Sequence, residues 1–310
     1  MLIVKMLASL RNPKPEYIFR PMQIYRRLVR EINKHFHTFE DVALPWGLVI
    51  RVRPAEMIGS CIWRVGLYDL CVSETLWRLI DPGDITVDVG ANIGYMTSIM
   101  ALRTGPLGRV IAFEPHPGVY AELKANVNRW TGAIGTGPIV THCIALSDRS
   151  GQGRLGAPDG FDSNRGLAML ISSDDTINPG QATFTVEIGR LDEIVRSEAI
   201  GLLKLDVEGH ETNVLMGAEQ LMKRRQIRDI VFESHAHYPT PVHRLLEEQG
   251  YQVFKLDVSV FGLKVEVAGV RRRQIRRSVD APSYLATLAP ERALSRLSKK
   301  GWAALGRALL

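Results

Sequence analysis

The segment of the sequence with the clearest chemical meaning is residues 88–94, DVGANIG, which ends an apolar run and precedes a helical pattern. Glycines let the backbone turn sharply and let a ligand lie against the main chain, and the first N–H groups of a following helix are free to bind it. Dinucleotide-binding turns have the spacing G-x-G-x-x-G, which Asn92 breaks. The acid Asp88, just before the turn, favours a ligand with a cation, such as an amino group or a sulfonium, over a diphosphate.

A second carboxylate, Glu114, ends the next predicted strand, 24 residues after Gly90. An acid at this place accepts hydrogen bonds from the two hydroxyls of a ribose. The succession of strand, glycine turn, helix, strand and acid therefore predicts a site for a ribose-bearing cofactor. Because an acid precedes the turn and the third glycine is missing from the dinucleotide spacing, the pattern favours S-adenosylmethionine.

A third segment, residues 205–211 (LDVEGHE), lies where another predicted strand ends and a helix begins. Ligands bind at the carboxyl ends of strands in open parallel sheets, so we expect Asp206 to face the reactive end of the cofactor. Methyl transfer to an alcohol also needs a base that takes the hydroxyl proton. The candidates for this base are Asp206, His210 and His235, and Glu208 is expected to orient the base or to bind acceptor hydroxyls.

No metal ion is expected at these segments. Asp206 and Glu208 are too close in sequence to be more than a weak metal signal. His235 and His237 form a His-x-His pair after a predicted strand, but no third ligand is evident, and binding of the acceptor is the favoured role.

The elements that must position these residues alternate along the chain. Strand-like apolar runs alternate with helical segments, which indicates βαβ units and a mostly parallel, doubly wound sheet. The predicted strands are 85–89, 109–115, 139–146, 201–207, 227–234 and 251–256. The predicted helices are 15–34, 66–80, 94–103, 121–130, 212–225 and 240–249, and a hairpin is predicted for 42–45 and 48–53.

The alternation is interrupted between the third and fourth strands, where residues 150–190 are predicted to form an insertion. Its first part is rich in Gly, Ser, Asp and Asn, and long loops of this kind in a compact domain are usually functional or mobile. We expect residues 167–172 and 183–188 to pair as a hairpin over the active face. Three polar residues of the insertion are candidate acceptor contacts, with a solvated loop as the alternative: Asp162, Asn164 and Arg165.

The net charge of +6 is spread unevenly over the 310 residues. Residues 1–34 carry +6 and residues 271–310 carry +8, which leaves −8 on the residues between them. Basic ends of this kind suit an anionic lipid surface, nucleic acid or a partner, and the alternative is a pair of solvated faces.

The C-terminal end has an amphipathic pattern that fits either peripheral contact with an anionic membrane or packing against the body of the protein. No run of 18 apolar residues that could span a membrane is present in the sequence, and the first residues do not predict a signal peptide. Three cysteines suggest reduced thiols and a cytoplasmic protein. The amphipathic pattern of the tail extends this prediction to a protein that contacts a membrane peripherally. The apolar face consists of Leu294, Leu297, Trp302, Leu305 and Leu309, flanked by Arg292, Arg296, Lys299 and Arg307.

Five motifs, in their order and spacing, resemble the FkbM family of methyltransferases. They are DVGANIGY at 88–95, FEP at 113–115, ALSD at 145–148, LDE at 191–193 and LDVEGHE at 205–211. The resemblance implies a Rossmann-like class I methyltransferase fold, S-adenosylmethionine as the methyl donor, and O-methylation of a sugar, glycolipid or polyketide hydroxyl. Tyr68-Asp69 stands where the family commonly has Tyr-Glu.

The resemblance also implies roles for individual residues. The turn after the first strand would line the amino-acid part of the donor, Glu114 would hold the ribose, and Ala145 and Ser147 would lie near the adenine. The implied cofactor-binding set is Asp88, Gly90, Ala91, Asn92, Gly94, Glu114, Ala145 and Ser147. The candidate catalytic residues are those argued above from the third segment: Asp206, Glu208 and His210.

The resemblance covers roughly residues 41–256, which we take as the methyltransferase domain. Residues 1–40 are then expected to form a basic N-terminal helical extension, and residues 257–310 a basic C-terminal extension. Two alternatives stay open: an NAD-dependent oxidoreductase on a similar sheet, and an RNA-binding methyltransferase that uses the basic ends. Nucleic acid is disfavoured because the acidic middle of the chain repels phosphates.

Overall fold

The computed structural model of the protein describes residues 37–157, 161, 165, 168–171, 182–196, 198–234, 236, 238–270 and 282–305, together with Pro15, Tyr25 and Val29. The predicted basic helix 15–34 therefore lies almost entirely outside the described residues, as do Asp162, Asn164, His235, His237, Arg307 and Leu309. Within the described ranges, no helix has both the length and the apolar character needed to cross a membrane.

The strands and helices follow the alternation expected from the sequence. The strands are β1 (Glu40–Ala43), β2 (Val49–Val52), β3 (Ile85–Val89), β4 (Arg109–Phe113), β5 (Ile139–His142), β6 (Ile144–Leu146), β7 (Gly151–Ala157), β8 (Met169–Ile171), β9 (Ala182–Gly189), β10 (Ile200–Leu205), β11 (Ile227–Glu233), β12 (Gln252–Ser259), β13 (Gly262–Val267) and β14 (Ser283–Thr287). The helices are α1 (Met57–Val65), α2 (Leu70–Leu79), α3 (Tyr95–Thr104), α4 (Pro117–Trp130), α5 (Leu191–Ile194), α6 (Glu211–Met216), α7 (Glu219–Lys223), α8 (Pro241–Glu248) and α9 (Pro290–Leu297).

The central sheet has the strand order β13-β12-β14-β11-β10-β3-β4-β5. The strands from β11 to β5 are parallel, whereas β14, β12 and β13 pair antiparallel at the other end. Strands buried on both faces read as nearly continuous apolar runs, which is the pattern of β3, β4 and β10. The predicted Rossmann-like class I methyltransferase fold, with a mostly parallel doubly wound sheet, is confirmed.

Two apolar clusters cover the two faces of this sheet. One cluster joins α2, α3 and α4 to the sheet and includes Leu76, Ile99 and Leu123. The other joins α6, α7 and α8 to the opposite face and includes Val214 and Leu246. The helices therefore hold the strand ends rigidly, which is what a binding site at the sheet edge needs.

The C-terminal segment, predicted as a basic extension, contributes to the body of the protein. β14 lies inside the central sheet between β11 and β12, and α9 packs onto the same body. Leu297, Trp302 and Leu305 are buried, so the apolar face that suggested membrane contact is used for packing, while Leu294 stays 39% exposed. The basic face is also engaged, because Arg292 and Arg296 pair with carboxylates of the body.

The insertion forms a second sheet with the order β6-β9-β7-β8. The expected pairing of residues 167–172 with 183–188 is wrong: β9 pairs with β7, and β8 pairs with the other edge of β7. The sequence of β7, GQGRLGA, looks like a loop, but one of its glycines, Gly153, serves close packing. A Cβ atom at Gly153 would lie 2.3 Å from the side chain of Ile188.

Candidate active site

A pocket opens at the carboxyl ends of β3, β4, β10 and β11. This is the edge at which open α/β sheets bind their ligands. The loop after β3, the segment before α2 and the insertion complete its walls. The polar and glycine residues that line it include Tyr68, Asp69, Gly90, Asn92, Glu114, Arg165, Lys204, Asp206, Glu208, His210 and Glu233.

The glycine loop, residues 90–94, turns from β3 into α3 and lies against the end of β10. Gly90 has φ +72°, and a Cβ atom there would be 1.9 Å from the carbonyl oxygen of Asp206. Only glycine fits such a contact, so the two segments meet at backbone distance. Asn92 also has a positive φ, +51°, a region that short polar side chains tolerate, and its side-chain oxygen accepts a hydrogen bond from the N–H of Ile93 at 2.8 Å.

Glu114 follows β4 and is 7% exposed. Its Oε2 accepts a hydrogen bond from the N–H of Asn92 at 3.0 Å, and its Oε1 accepts one from the N–H of His116 at 2.9 Å. Burial raises the pKa of the Glu114 carboxyl to about 7, against the lowering effect of these hydrogen bonds and of the charges of Lys204 and Arg165. The carboxyl therefore faces the pocket half-ionised near neutral pH, with lone pairs left for hydroxyl donors.

Asp88 is not among the residues that line the pocket, because its side chain is fully buried behind the wall. Its Oδ2 accepts a hydrogen bond from the Thr97 hydroxyl at 2.6 Å, and its Oδ1 lies 3.3 Å from Nζ of Lys204. The sequence suggested that this acid meets a cation of the ligand. In the structure the cation is a lysine of the neighbouring strand, so Asp88 supports the glycine loop from behind.

Carboxylates line the side of the pocket above β10 and β11, which we call the acidic side (Asp69, Asp206, Glu208 and Glu233). Oδ2 of Asp206 lies 3.3 Å from Nζ of Lys204. Burial, reinforced by the charges of Asp206 and Asp69, raises the pKa of the Glu233 carboxyl to about 9, and Glu233 shares a hydrogen bond with Asp69. Glu233 therefore carries a proton at neutral pH. That proton lies in the hydrogen bond with Asp69, so the acidic side offers mainly hydrogen-bond acceptors to a ligand.

His210 precedes α6 and lies on the pocket wall. Its Nε2 is 2.9 Å from the hydroxyl of Ser147, and that hydroxyl donates a hydrogen bond to Oδ1 of Asp148 at 2.9 Å. Because the hydroxyl has one proton, it accepts from His210, and the lone pair of the imidazole is on Nδ1. Burial lowers the pKa of His210, so the ring is neutral near pH 7 and able to accept a proton.

The insertion supplies a further wall of the pocket. Arg165 forms an ion pair with Glu122 of α4, with 2.6 Å between Nη1 and Oε1. The ring of His116 contacts Phe161 and Phe184, at centroid distances of 4.7 and 4.4 Å. These contacts hold the insertion over the glycine-loop side of the pocket, as expected for a segment that covers the active face.

Comparison with known proteins decides the family. The model of the family described as Methyltransferase FkbM domain matches residues 88–253, which contain the glycine loop, Glu114 and the segment from Asp206 to Glu211. The chain belongs to the FkbM methyltransferase family. The resemblance seen in the sequence is thereby confirmed, and the NAD-dependent oxidoreductase alternative has no support.

Two curated proteins illustrate the likeness. The chain is 34% identical over 183 residues to the 31-O-demethyl-FK506 methyltransferase FkbM of Streptomyces tacrolimicus, a match that covers 50% of this chain and 66% of that protein, just under two thirds of its length. It is 29% identical over 195 residues to the hexuronic acid methyltransferase AglP of Haloferax volcanii, with coverage of 60% and 72%. The crystal structure of an FkbM methyltransferase from Methylobacillus flagellatus KT aligns with a TM-score of 0.39 and 17% identity, over 69% of this chain and 50% of that one.

The FkbM assignment confirms the predicted cofactor, S-adenosylmethionine, and the pocket residues fit this molecule. Glu114 has carboxylate lone pairs of the kind that suit ribose hydroxyls, and the absence of a side chain at Gly90 lets the glycine loop lie against the end of β10. Ala145 stands in β6 among apolar neighbours from the insertion, Leu155 and Leu170. An apolar surface of this kind suits the face of an adenine ring.

The FkbM fold brings most of the residues predicted for the site to this pocket. The ones that line it are Gly90, Ala91, Asn92, Glu114, Ala145, Asp206, Glu208 and His210. Gly94 and Ser147 lie behind the wall, as Asp88 does. Gly94 packs its backbone against Leu123 and Trp130 of α4, and Ser147 supports the ring of His210.

Lys204 is the main residue of the FkbM pocket that sequence reasoning missed. It is 5% exposed and stands inside GLLKLDV, an otherwise apolar run of a parallel strand. A single lysine in such an apolar run indicates a buried, paired charge, because lysine is almost never fully buried without a partner. The partners, Asp88 and Asp206, come from two segments that only the folded sheet brings together.

Proposed function

We propose that the protein is an S-adenosylmethionine-dependent O-methyltransferase that acts on a hydroxyl of a sugar, glycolipid or other small-molecule acceptor. One observation carries this proposal: a single pocket combines a glycine loop and a buried carboxyl suited to a nucleoside with an acidic side suited to hydroxyl groups. The name of one curated relative, a 31-O-demethyl-FK506 methyltransferase, is in keeping with an oxygen acceptor, and the name of the other, a hexuronic acid methyltransferase, with a sugar-derived acceptor.

On the donor side, the proposal assigns Glu114 to the ribose hydroxyls and the glycine loop to the amino-acid part of S-adenosylmethionine. The bound donor supplies a methyl group that is activated by a positively charged sulfur. The task left to the protein is mainly to align the acceptor, and such positioning contributes on the order of 7–11 kcal/mol to lowering the barrier.

On the acceptor side, the proposal assigns Asp206 and His210 as candidate bases and Glu208 as a group that binds acceptor hydroxyls. An alcohol is a weak nucleophile while it keeps its proton, and a base that takes the proton during bond formation accelerates the reaction by about 10²–10⁴-fold. His210 is prepared for this role, because its ring is neutral and is held by Ser147. Glu233, whose proton lies in the hydrogen bond with Asp69, accepts a hydrogen bond from a second acceptor hydroxyl.

The acidic side also favours small hydroxyl-rich acceptors over RNA. Phosphate groups near Asp206 and Glu208 would meet like charges, and such juxtapositions cost several kcal/mol. RNA recognition through the basic ends is therefore the weaker alternative within the methyltransferase class.

The proposal is tested by methyl transfer from S-adenosylmethionine with an isotopically labelled methyl group. Separate reactions contain glycoside and glycolipid pools or total RNA, and Asp206→Asn serves as the matched inactive variant. We expect label in alkali-stable ether linkages of the sugar-containing pools, with loss of labelling in the variant. If only RNA is labelled, the acceptor is RNA and not a sugar or small molecule. If S-adenosylhomocysteine does not bind the folded protein, the assignment of S-adenosylmethionine as the donor is wrong.

A further inference from the structure

The ammonium group of Lys204 connects three acceptors that belong to three different segments. Nζ donates a hydrogen bond to the carbonyl oxygen of Gly90 at 2.9 Å. It also lies 3.3 Å from Oδ1 of Asp88 and 3.3 Å from Oδ2 of Asp206. These acceptors belong to the start of the glycine loop, to β3 and to the segment after β10.

The sheet itself places this lysine between its partners. Lys204 of β10 is the register partner of Asp88 of the neighbouring strand β3, and its side chain is 7% exposed while that of Asp88 is fully buried. A charge at this depth is stable only when it is paired and hydrogen-bonded. The pair Lys204–Asp88 is thus a fixed element of the floor of the pocket.

The ammonium of Lys204 is surrounded by oxygens of the protein itself. One N–H donates to the carbonyl oxygen of Gly90, and two carboxylates balance the charge at 3.3 Å. Lys204 therefore acts on a bound molecule mainly through these partners, although it lines the pocket. Two of these partners, Gly90 and Asp206, belong to the glycine loop and to the acidic side, two segments that meet at backbone distance.

We propose that Lys204 is a positioning residue that fixes the glycine loop and the Asp206 carboxylate relative to each other, so that donor and acceptor meet in line. This inference rests on the proposed function, because it assumes that the glycine loop holds the donor and that Asp206 faces the acceptor. An ion pair with Asp88 alone would neutralise the lysine. The additional contacts with Gly90 and Asp206 add side-chain links to the backbone contact between the two segments, and the link to Asp206 is the one that orients its carboxylate.

The charge of Lys204 also reaches the carboxyls at the two ends of the pocket. It lowers the pKa of Glu114 on the donor side and that of Glu233 on the acidic side. Loss of this charge should therefore raise the pKa of both carboxyls, an effect that the loss of a purely steric support would not have. The groups that face Glu114 are Lys204 from β10, Arg165 from the insertion, Cys143 from the segment after β5, and the backbone N–H groups of Asn92 and His116.

The first test compares hydrogen exchange in the wild type, Lys204→Met and Lys204→Arg, with Lys223→Met as the control at an exposed lysine of α7. The amides of Gly90 and Asp206 are hydrogen-bonded to Phe113 and Val89, so their protection is measurable. We expect faster exchange in peptides 88–94 and 204–210 in Lys204→Met, with recovery in Lys204→Arg and no change in the control. Faster exchange over the whole sheet, without a local excess in these two peptides, would overturn the inference.

The second test measures S-adenosylhomocysteine binding by calorimetry between pH 6 and pH 9. In Lys204→Met the pH midpoint of binding is expected to rise by roughly one unit, because an opposite charge near Glu114 is lost. Lys204→Arg should keep the wild-type midpoint. If Lys204→Met does not fold, the doubly neutral Asp88→Asn/Lys204→Met variant replaces it.

The two failures are distinguishable. Wild-type protein that binds the ligand, together with an unshifted midpoint in Lys204→Met, overturns the role of Lys204 and leaves the proposed function intact. Wild-type protein that does not bind S-adenosylhomocysteine at any pH overturns the proposed function and the inference that rests on it.

Discussion

The carboxylate of Glu114 accepts a hydrogen bond from the backbone N–H of Asn92 across 3.0 Å. This bond joins the end of β4 to the glycine loop after β3, and therefore links the two segments that the sequence assigned to one cofactor. The other oxygen of the carboxylate is bound to the N–H of His116. The same two hydrogen bonds fix the direction of the remaining lone pairs of the carboxylate. We therefore expect the affinity for the donor to depend strongly on Glu114.

Donor binding is expected to strengthen as the pH rises through 7. The pKa of Glu114 is raised to about 7 by burial, and an ionised carboxylate makes stronger hydrogen bonds with ribose hydroxyls than a protonated one. Calorimetry with S-adenosylhomocysteine should therefore give an affinity about tenfold lower at pH 6 than at pH 8. Glu114→Gln should bind weakly at all pH values, and a pH-independent wild type would contradict the assignment to the ribose.

Gly90→Ala is expected to abolish donor binding, because the new Cβ would lie 1.9 Å from the carbonyl oxygen of Asp206. Gly83→Ala is a matched control. Gly83 also has a positive φ, +89°, but a Cβ atom there would meet no described residue other than its chain neighbours within 4 Å. That change should therefore cost only about 1–2 kcal/mol of backbone strain. Equal effects of the two substitutions on ligand affinity would show that close approach at Gly90 is unimportant.

Asp206→Asn and His210→Ala are expected to lower methyl-transfer turnover while S-adenosylhomocysteine still binds. Loss of a general base reduces the rate by about 10²–10⁴-fold. Turnover is measured with whichever sugar-containing pool is labelled by the wild type, and affinity by calorimetry. The variant with the larger loss identifies the principal base, whereas full activity in both would reject both residues.

Glu233→Gln is expected to stabilise the protein at alkaline pH. The pKa of Glu233 is raised to about 9 by burial and by the charges of Asp206 and Asp69. A pKa raised in the folded state contributes stability that is fully present below the ordinary value of 4.5 and is lost progressively as the pH rises to about 9. The unfolding temperature of the variant, relative to the wild type, should therefore increase between pH 5 and pH 9 and level off above that, with Glu248→Gln as the matched control at an exposed site.

Leu297→Ala is expected to destabilise the protein by about 2–5 kcal/mol, because Leu297 is fully buried in the core beneath α9. Leu294 on the same helix is 39% exposed, and its substitution by Ala should change stability by less than about 0.5 kcal/mol. Denaturant unfolding distinguishes the two. A larger loss at Leu294 would mean that the outer face of α9, rather than the inner one, is covered.

The order of the elements in the parallel half of the sheet followed from the sequence because each strand there is buried on both faces. Such strands give apolar runs that are easy to recognise, as in ITVDV and GLLKLDV. The strand pairing of the insertion was harder to predict, because β7 contains three glycines and its pairing with β9 depends on contacts between residues that are distant in sequence. The role of the C-terminal segment was also hard to predict, because an amphipathic helix has the same sequence pattern whether it packs on a membrane or on the protein.

Local sequence patterns were enough to indicate the family, the donor class and the segments that carry the chemistry, because glycines and acids at strand ends have the same role in many parallel sheets. The side chains that line the pocket could be identified only once the strands were paired in the sheet. Asp88 and Lys204 are far apart in the chain, yet they are register partners on adjacent strands, and their pairing turns a predicted ligand contact into a support of the pocket floor. The energy of a buried charge depends on every neighbour that surrounds it, and those neighbours are fixed only by the folded sheet.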